Sequence, residues 1–203
     1  KRNRPLIWMF ENVPGMIHDK NIEYLIEIRE ALEKDYRIYP VLDRSKKINC
    51  ADYGVPQIRQ RFICVGVLKK FGKFNFPETT HSKKEEKNLL EKKEKWINCR
   101  EAIGNLDINL PEDKKNIAGS KHKNLLKLIP PGENYLYFTK ERGHPKPKFK
   151  WRSRYWSFLL KLSPKEPSWT IQASFSNNMG PFHWKNRFLR LNEIKRIQTF
   201  PDN

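Results

Sequence analysis

One carboxylate and two guanidinium groups are side chains whose types and local placement could each do chemistry. Glu11 closes the apolar run Leu6-Ile7-Trp8-Met9-Phe10, and α/β enzymes place active groups at the carboxyl ends of buried strands, where the sheet opens on a ligand crevice. Asn12 follows directly, and Pro14-Gly15 turns the chain. Arg59 and Arg61 are separated by one residue, so in an extended segment both point to the same side, ready for charge-assisted hydrogen bonds to a carbonyl or a phosphate. Each feature has a plainer reading: a glutamate after a strand is often a solvated loop residue, and a bare Arg-x-Arg is usually a solvated strand face. A further group is basic and aromatic. Lys148, Lys150, Arg152 and Arg154 alternate with Phe149, Trp151 and Tyr155, which fits phosphate contacts flanking a packed aromatic face, or a half-buried strand with basic outer residues.

The elements that must position these residues read as a piece of an α/β domain. Leu6 to Phe10 has the continuous apolar character of a strand buried on both faces. Asp19 or Asn21 can cap a helix in which Ile22, Leu25, Ile28 and Leu32 recur at helical spacing while Glu23, Glu27, Arg29, Glu30 and Glu33 face water. Tyr36 to Leu42 and Phe62 to Leu68 read as further strands, giving strand, helix, strand, strand. After about Phe71 the sequence turns to proline, lysine and aromatic residues, an irregular and partly β region. Within it, Ser82 to Lys95 is a mixed-charge run expected to be an exposed salt-bridged helix or a mobile insert. Short apolar patches over Ile103 to Leu110 and Lys123 to Pro131 are candidates for seating this region on the first. Leu191, Ile194 and Ile197 form one face of a short amphipathic helix before Pro201.

Composition sets the class of partner. With 41 Lys+Arg against 23 Asp+Glu, the 203-residue chain carries a formal charge of +18, which favours a polyanion, nucleic acid first; a solubilising lysine-rich surface is the alternative. Hydrophobic residues at 37% are enough for a core. Cys50, Cys64 and Cys99 are odd in number and widely spaced, with no C-x-x-C pair, so a reducing compartment and no structural zinc are expected. No stretch approaches the roughly 20 apolar residues that span a bilayer. The chain begins without Met, ahead of a strand-like run, as a cut inside a domain would.

Three stretches, in order, resemble motifs of the DNA (cytosine-5)-methyltransferase family. Phe10-Glu11-Asn12-Val13-Pro14-Gly15 is similar to its Glu-Asn-Val motif. Tyr53-Gly54-Val55-Pro56-Gln57-Ile58-Arg59-Gln60-Arg61 matches its Y-G-x-P-Q-x-R-x-R pattern at every defined position. Arg187 to Asp202 resembles the late R-x-L-T-x-R-E-x-x-R-L-Q-x-F-P-D motif, with Arg187, Leu189, Glu193, Arg196, Gln198, Phe200, Pro201 and Asp202 matching; Arg190 and Asn192 depart from it and put its local polar network in question. Shorter likenesses lie between: Phe76-Pro77-Glu78-Thr79-Thr80-His81, Pro130-Pro131-Gly132-Glu133-Asn134, and Thr170-Ile171 within Ser168-Trp169-Thr170-Ile171. Gln172 to His183, with Ser174, Ser176, Asn177, Asn178 and Gly180, has the composition of a loop that reads base edges.

The resemblance implies a partial Rossmann-like methyltransferase domain over residues 1–72 and a DNA target-recognition domain over 73–203. It implies a catalytic role for Glu11, Arg59 and Arg61, with Glu11 hydrogen-bonding N3 and the exocyclic amine of an extruded cytosine. A low-dielectric pocket that keeps the carboxyl partly protonated would suit that work. Asn12, Gln57, Arg152, Arg154, Thr170, Gln172 and Arg187 are the implied substrate or DNA contacts. S-adenosyl-L-methionine is the implied methyl donor, but the family's Gly-rich cofactor loop, its Pro-Cys nucleophile and its final cofactor motif have no counterpart here, and no cysteine follows a proline. The expected partners are therefore double-stranded DNA and an N-terminal methyltransferase half, on the same or a separate polypeptide, in a prokaryotic restriction-modification system of the cytoplasm and nucleoid. A non-catalytic DNA-binding module of the same family, and an RNA-modifying enzyme on the same scaffold, are the alternatives.

Overall fold

The computed structural model describes residues 4–18, 20–40, 47–84, 86–88, 91–114, 118–173 and 176–202. Its first region carries strand β1 (Ile7–Asn12), helix α1 (Ile22–Leu32), β2 (Tyr36–Tyr39), the short β3 (Ile48–Asn49) and β4 (Gln57–Ile58), and the long β5 (Gln60–Leu68). β5 is the centre of the sheet and runs antiparallel to β1, β2 and β3. Alternation places Trp8, Phe10, Ile38, Phe62 and Cys64 on the face that α1 covers. There Leu25, Ile17 and Phe62 are buried against Phe10, Met16, Ile22 and Cys64. Trp8 lies across Gly66, where a Cβ would stand 2.0 Å from indole Cε2, so the strand residue opposite Trp8 has to be glycine.

The other face of β1 is open. Ile7 and Met9 project from it, Met9 70% exposed, and among the described residues β1 hydrogen-bonds to β5 alone. The expectation of a strand buried on both faces is therefore corrected to one covered face and one free edge. The expected helix forms with Leu25 inward, but Arg29 does not face water: it pairs with Glu33 at 2.5 Å and donates to the Pro40 carbonyl at 3.3 Å. Ile28, expected inward, is exposed. Asn21 caps no backbone amide; its side chain donates to Gly15 O at 3.0 Å. Asp19, Val41 and Leu42 lie outside the described residues.

The mixed-charge run holds strands instead of a helix. β6 (His81–Ser82), β7 (Glu86–Asn88) and β8 (Glu91–Lys95) form a small sheet ordered β6-β8-β7. The backbone beside β6 acts as the template, since Thr80 O and Ser82 O accept from the amides of Glu94 and Trp96; pairing of this kind overrides the helical preference of Glu and Lys. Leu89 and Leu90 lie outside the described residues.

The remaining region is mostly irregular, with α2 (Cys99–Ile103), α3 (Lys123–Leu128), β9 (Ser168–Trp169) and α4 (Leu191–Ile197) joined by turns and 3₁₀ segments. It contains its own cores. One gathers Leu126, Ile129, Tyr135, Leu136, Phe138, Phe158, Leu159 and Phe182, the other Cys99, Ile103, Leu162, Leu189 and Ile197. The apolar patches around Ile103 and Leu126 thus fill this region's interior and do not seat it on the first sheet. Polar side chains satisfy the irregular backbone: buried Asn134 accepts from the Leu136 amide and donates to Trp156 O, and buried Lys161 donates to the carbonyls of Leu126 and Ile129 where α3 ends. The architecture is mixed α/β.

Candidate active site and nucleic-acid interface

The segment before β5 is shaped by its own sequence. Cys50 to Tyr53 makes one 3₁₀ turn, and the Asn49 carboxamide oxygen accepts from the amides of Ala51 and Arg59, at 3.5 and 3.2 Å. Gly54 then reverses the chain at φ 81°, in the left-handed region, with the His81 ring so close that a Cβ would stand 2.9 Å from Cε1. A side chain there meets both strain and a clash. The stretch Pro77 to His81 braces this turn: Pro77 O accepts from the Tyr53 hydroxyl at 3.2 Å, and the Thr80 amide donates to Asp52 O at 3.0 Å. Trp96 Nε1 donates to Asp52 Oδ1 at 2.8 Å.

The braced turn delivers Arg61 to Glu11. Glu11 stands opposite Ile63 in the β1–β5 ladder, so Arg61, two residues away, is its diagonal neighbour on the same face. Arg61 Nε lies 2.6 Å from Glu11 Oε1, and one terminal nitrogen of the guanidinium donates to Gln60 O. Glu11 is 48% exposed, so its surroundings are wetter than the low-dielectric pocket expected. Half-buried Arg59 is fixed through its backbone, whose carbonyl accepts from the Cys50 amide; no side-chain contact joins it to Glu11 among the described residues. Asn12 uses its side chain locally, accepting from the Val13 amide at 2.8 Å. Gln57 is buried, and its Nε2 has no partner among the described residues.

The basic and aromatic surface is joined to this segment through β9, which pairs with β4 in parallel and sets Trp169 beside Ile58. Thr170 Oγ1 donates to Ile58 O at 3.1 Å, and Gln172 Nε2 to Ser157 Oγ at 3.1 Å. Arg152 and Arg154 are exposed, as are Lys148 and Lys150. The expected packed aromatic face does not form: Phe149 packs against the core, but Trp151 and Tyr155 remain exposed in a run of turns. Alternation in sequence suggests a strand, whereas the backbone here turns through Arg152 at φ 52°. In the following loop the Asn177 and Asn178 carbonyls accept from Gly119 and Leu159; Ser174 lies outside the described residues.

Arg187, expected among the DNA contacts, points inward. It is buried and grips Glu193 with two hydrogen bonds, at 2.8 and 2.7 Å, while Glu193 also accepts from the Arg190 amide at the start of α4. Burial works against the charge on Arg187, but the Glu193 hydrogen bonds and the nearby Asp113 and Asp107 outweigh it and raise its pKa. Arg190 compensates for its departure from the family pattern by spanning Asp113, Leu106 O and Ile108 O; its hydrogen bond holds the Asp113 carboxyl below the usual range. His183 sits in the same network, its pKa pushed down to about 4 by burial first and the Arg187 charge second, against the opposing pull of Glu193 and Asp107. Sequence gave no sign that this arginine would be interior, because two of its carboxylate partners lie more than 70 residues away along the chain.

Two of the three thiols are held by burial away from the reactive, ionised form. Burial, with a smaller push from Glu166, raises Cys99 to about 12, and burial raises Cys64 despite Arg29. The cavity under α1 does not suit S-adenosylmethionine, the methyl donor that the resemblance implies. An apolar cavity of about 290 Å³ lies under α1, lined by Trp8, Phe10, Leu25, Ile38 and Phe62 among others, with Arg29 its one charged side chain; an amino-acid head, a ribose and an adenine need more polar partners than that.

Comparison with known proteins gives the family. The family described as C-5 cytosine-specific DNA methylase matches residues 1–203. The chain belongs to that family. It is 38% identical over 215 residues to the type II methyltransferase M.SacI of Streptomyces achromogenes, matching all of this chain and 53% of that protein. It is 30% identical to the type II methyltransferase M.BbvI of Brevibacillus brevis, over 98% of this chain and 50% of the relative. A solved structure described as a DNA modification methyltransferase encoded within an E. coli prophage superposes with a TM-score of 0.55 at 20% identity, covering 98% of the methylase chain and 60% of that one, a likeness of fold. The methylase chain spans about half the length of the curated relatives it matches. No helix among its described residues is long and apolar enough to cross a membrane.

Proposed function

We propose that this chain supplies the base pocket and the DNA-recognition surface of a cytosine-5 DNA methyltransferase, and that its nucleophile and methyl-donor site lie on another segment, of the same or a separate polypeptide. The observation that carries the reading is the Glu11–Arg61 contact at 2.6 Å, tied through β4 and β9 to an exposed basic surface. In this reading Glu11 takes the N3 and amino edge of an extruded cytosine, and Arg59 and Arg61 meet its carbonyl and a neighbouring phosphate. A guanidinium has five N–H donors, of which Glu11 and Gln60 engage two. Glu11, 48% exposed, reaches solvent while Arg61 is 16% exposed, so an entering base with better hydrogen bonds to the glutamate can take the place of this single contact. Asn12 and Gln57 shape the pocket from behind, Arg152 and Arg154 hold phosphates, and Thr170 and Gln172 set the interface to the pocket. Residues 1–72 form the catalytic part and 73–203 the recognition part. The open edge of β1, with Ile7 and Met9 exposed, is where the N-terminal half would extend the sheet. In this reading the full enzyme belongs to the cytoplasm of a prokaryote, in a restriction-modification system; the relatives are named type II methyltransferases.

Radiolabelled methyl transfer tests the reading. The chain alone transfers nothing; addition of a polypeptide carrying the family's Pro-Cys and cofactor motifs restores cytosine-5 methylation, and Glu11→Gln lowers that rate by on the order of 10², the scale of a general acid–base contribution. Full activity from the isolated chain would place the nucleophile within it. DNA binding with no methylation from any complementing half would leave a non-catalytic recognition module.

A further inference from the structure

The aromatic residues of the interface are the part that neither phosphate contacts nor core packing accounts for. Between Phe149 and Trp169 the chain sends Phe149 and Phe158 onto Tyr135, yet leaves Trp151, Tyr155, Trp156 and Trp169 in solvent, Tyr155 at 81%, Trp156 at 49% and Trp169 at 38% exposure. Exposed aromatic side chains brought into contact are a binding-site signal, and Trp156 and Trp169 are such a pair. The Trp156 and Trp169 rings meet edge to face, with centroids 5.6 Å apart and planes at 74°, so neither indole stacks on the other. We propose that Tyr155, Trp156 and Trp169 form a stacking site for an unpaired nucleobase of DNA, beside the Glu11–Arg61 pocket.

The site is held rigidly. Asn134 donates to Trp156 O at 2.8 Å, Phe158 N–H to Tyr155 O at 2.9 Å, and Gln172 to the hydroxyl of Ser157. Trp169 stands opposite Ile58, the residue before Arg59, across a parallel strand pair. Charge selects the ligand: Lys150, Arg152 and Arg154 flank the rings and are exposed, and basic residues interleaved with aromatic faces are how proteins hold nucleic-acid bases out of a duplex. A base within an intact duplex is already stacked on both sides, so an aromatic platform gains only from one that has lost its partner. Extrusion of a target base leaves such a base on each strand. This inference rests on the DNA-binding reading above.

The experiment measures binding of the full 203-residue chain to a labelled duplex, to the same duplex with one abasic site, and to the single strand, all at one salt concentration. The abasic duplex is expected to bind tighter than the intact one. Trp156→Ala should weaken the abasic duplex about tenfold, within the range for loss of one base–aromatic stack, and the intact duplex less than twofold. Trp156→Phe should retain most of the preference, which excludes a folding defect. Arg154→Ala serves as the contrast, weakening both duplexes alike and lowering the salt slope by about one. A preference for the single strand over the abasic duplex, lost with Trp156→Ala, would assign the site to a single-stranded base and still support stacking. Equal binding to intact and abasic duplexes, or equal losses with Trp156→Ala, would overturn the stacking site and leave the DNA-binding reading intact. No binding to any of the three at low salt would overturn both.

Discussion

Two arginine–glutamate pairs, one in each region, show how far the same residue types diverge with burial. Arg61 and Glu11 meet through a single contact beside the free edge of the sheet, with Glu11 48% and Arg61 16% exposed. Arg187 and Glu193 meet through two parallel hydrogen bonds with both side chains inside the protein. Both pairs come from motifs of one family, yet the first is exchangeable and the second is structural. An exposed pair can give up its partner to water or to a ligand, whereas a buried one cannot separate without stranding a charge.

Glu193→Ala should give the largest effect that separates the two. It leaves Arg187 buried without its principal partner and removes the acceptor for the Arg190 amide at the start of α4. Breaking a buried pair by deleting one partner costs about 3–5 kcal/mol, to be read from the midpoint of urea unfolding. A loss under about 1 kcal/mol would show that the network relaxes and that burial is not what distinguishes the pairs.

The legible and illegible parts of the molecule divide along the same line. That Arg59 and Arg61 share one side of an extended segment can be read from the sequence because alternation is local, whereas the meeting of Arg61 with Glu11, 50 positions earlier, is legible only through the family resemblance of their two motifs. The left-handed turn at Gly54 comes from the structure. Arg187 reads equally well as a surface arginine, since nothing near it announces Asp107 or Asp113. β7 and β8 escape notice because Glu and Lys suit an exposed helix, and only the backbone beside β6 makes them strands. The exposure of Tyr155 escapes because alternating basic and aromatic residues describe a half-buried strand, and turns have no comparable period.

A smaller effect comes from pH. Native His183 titrates near 4 against an ordinary 6.5, so between those values the unfolded chain binds a proton that the folded chain refuses. Stability rises with pH wherever the unfolded state binds more protons; it should therefore fall as pH drops from about 6.5 towards 4, and this contribution should level off below that. His122, whose pKa burial also lowers, adds with the same sign, so the test is the difference between the native chain and His183→Gln. Urea midpoints from pH 7 to 4.5 should decline less steeply for the variant. Parallel curves would mean that His183 is protonated in the folded protein and pairs with Asp107 or Glu193, 3.6 and 3.7 Å from its Nε2.

The smallest effect sharpens the comparison most, because it applies the first substitution to the other glutamate. Glu11→Ala removes a carboxylate whose one ion-pair partner, Arg61, keeps its hydrogen bond to Gln60 O and retains access to water. The strand itself is held by pairing with β5 along its whole length, from Ile7 opposite Val67 to Asn12 opposite Phe62, and by Trp8 and Phe10 on the covered face. Glu11 projects from the uncovered face with Ile7 and Met9, so its truncation opens no cavity. The expected loss is about 0–1 kcal/mol, the range for exposed ion pairs, measured under the same urea conditions as Glu193→Ala. A residue that costs so little to remove contributes little to stability, and its place beside Arg61 then calls for an explanation in ligand binding. A loss near 3 kcal/mol would reverse that logic: Glu11 would be a structural anchor of β1, and a slow Glu11→Gln methylation rate would follow from a damaged sheet with no need of a contact to the base.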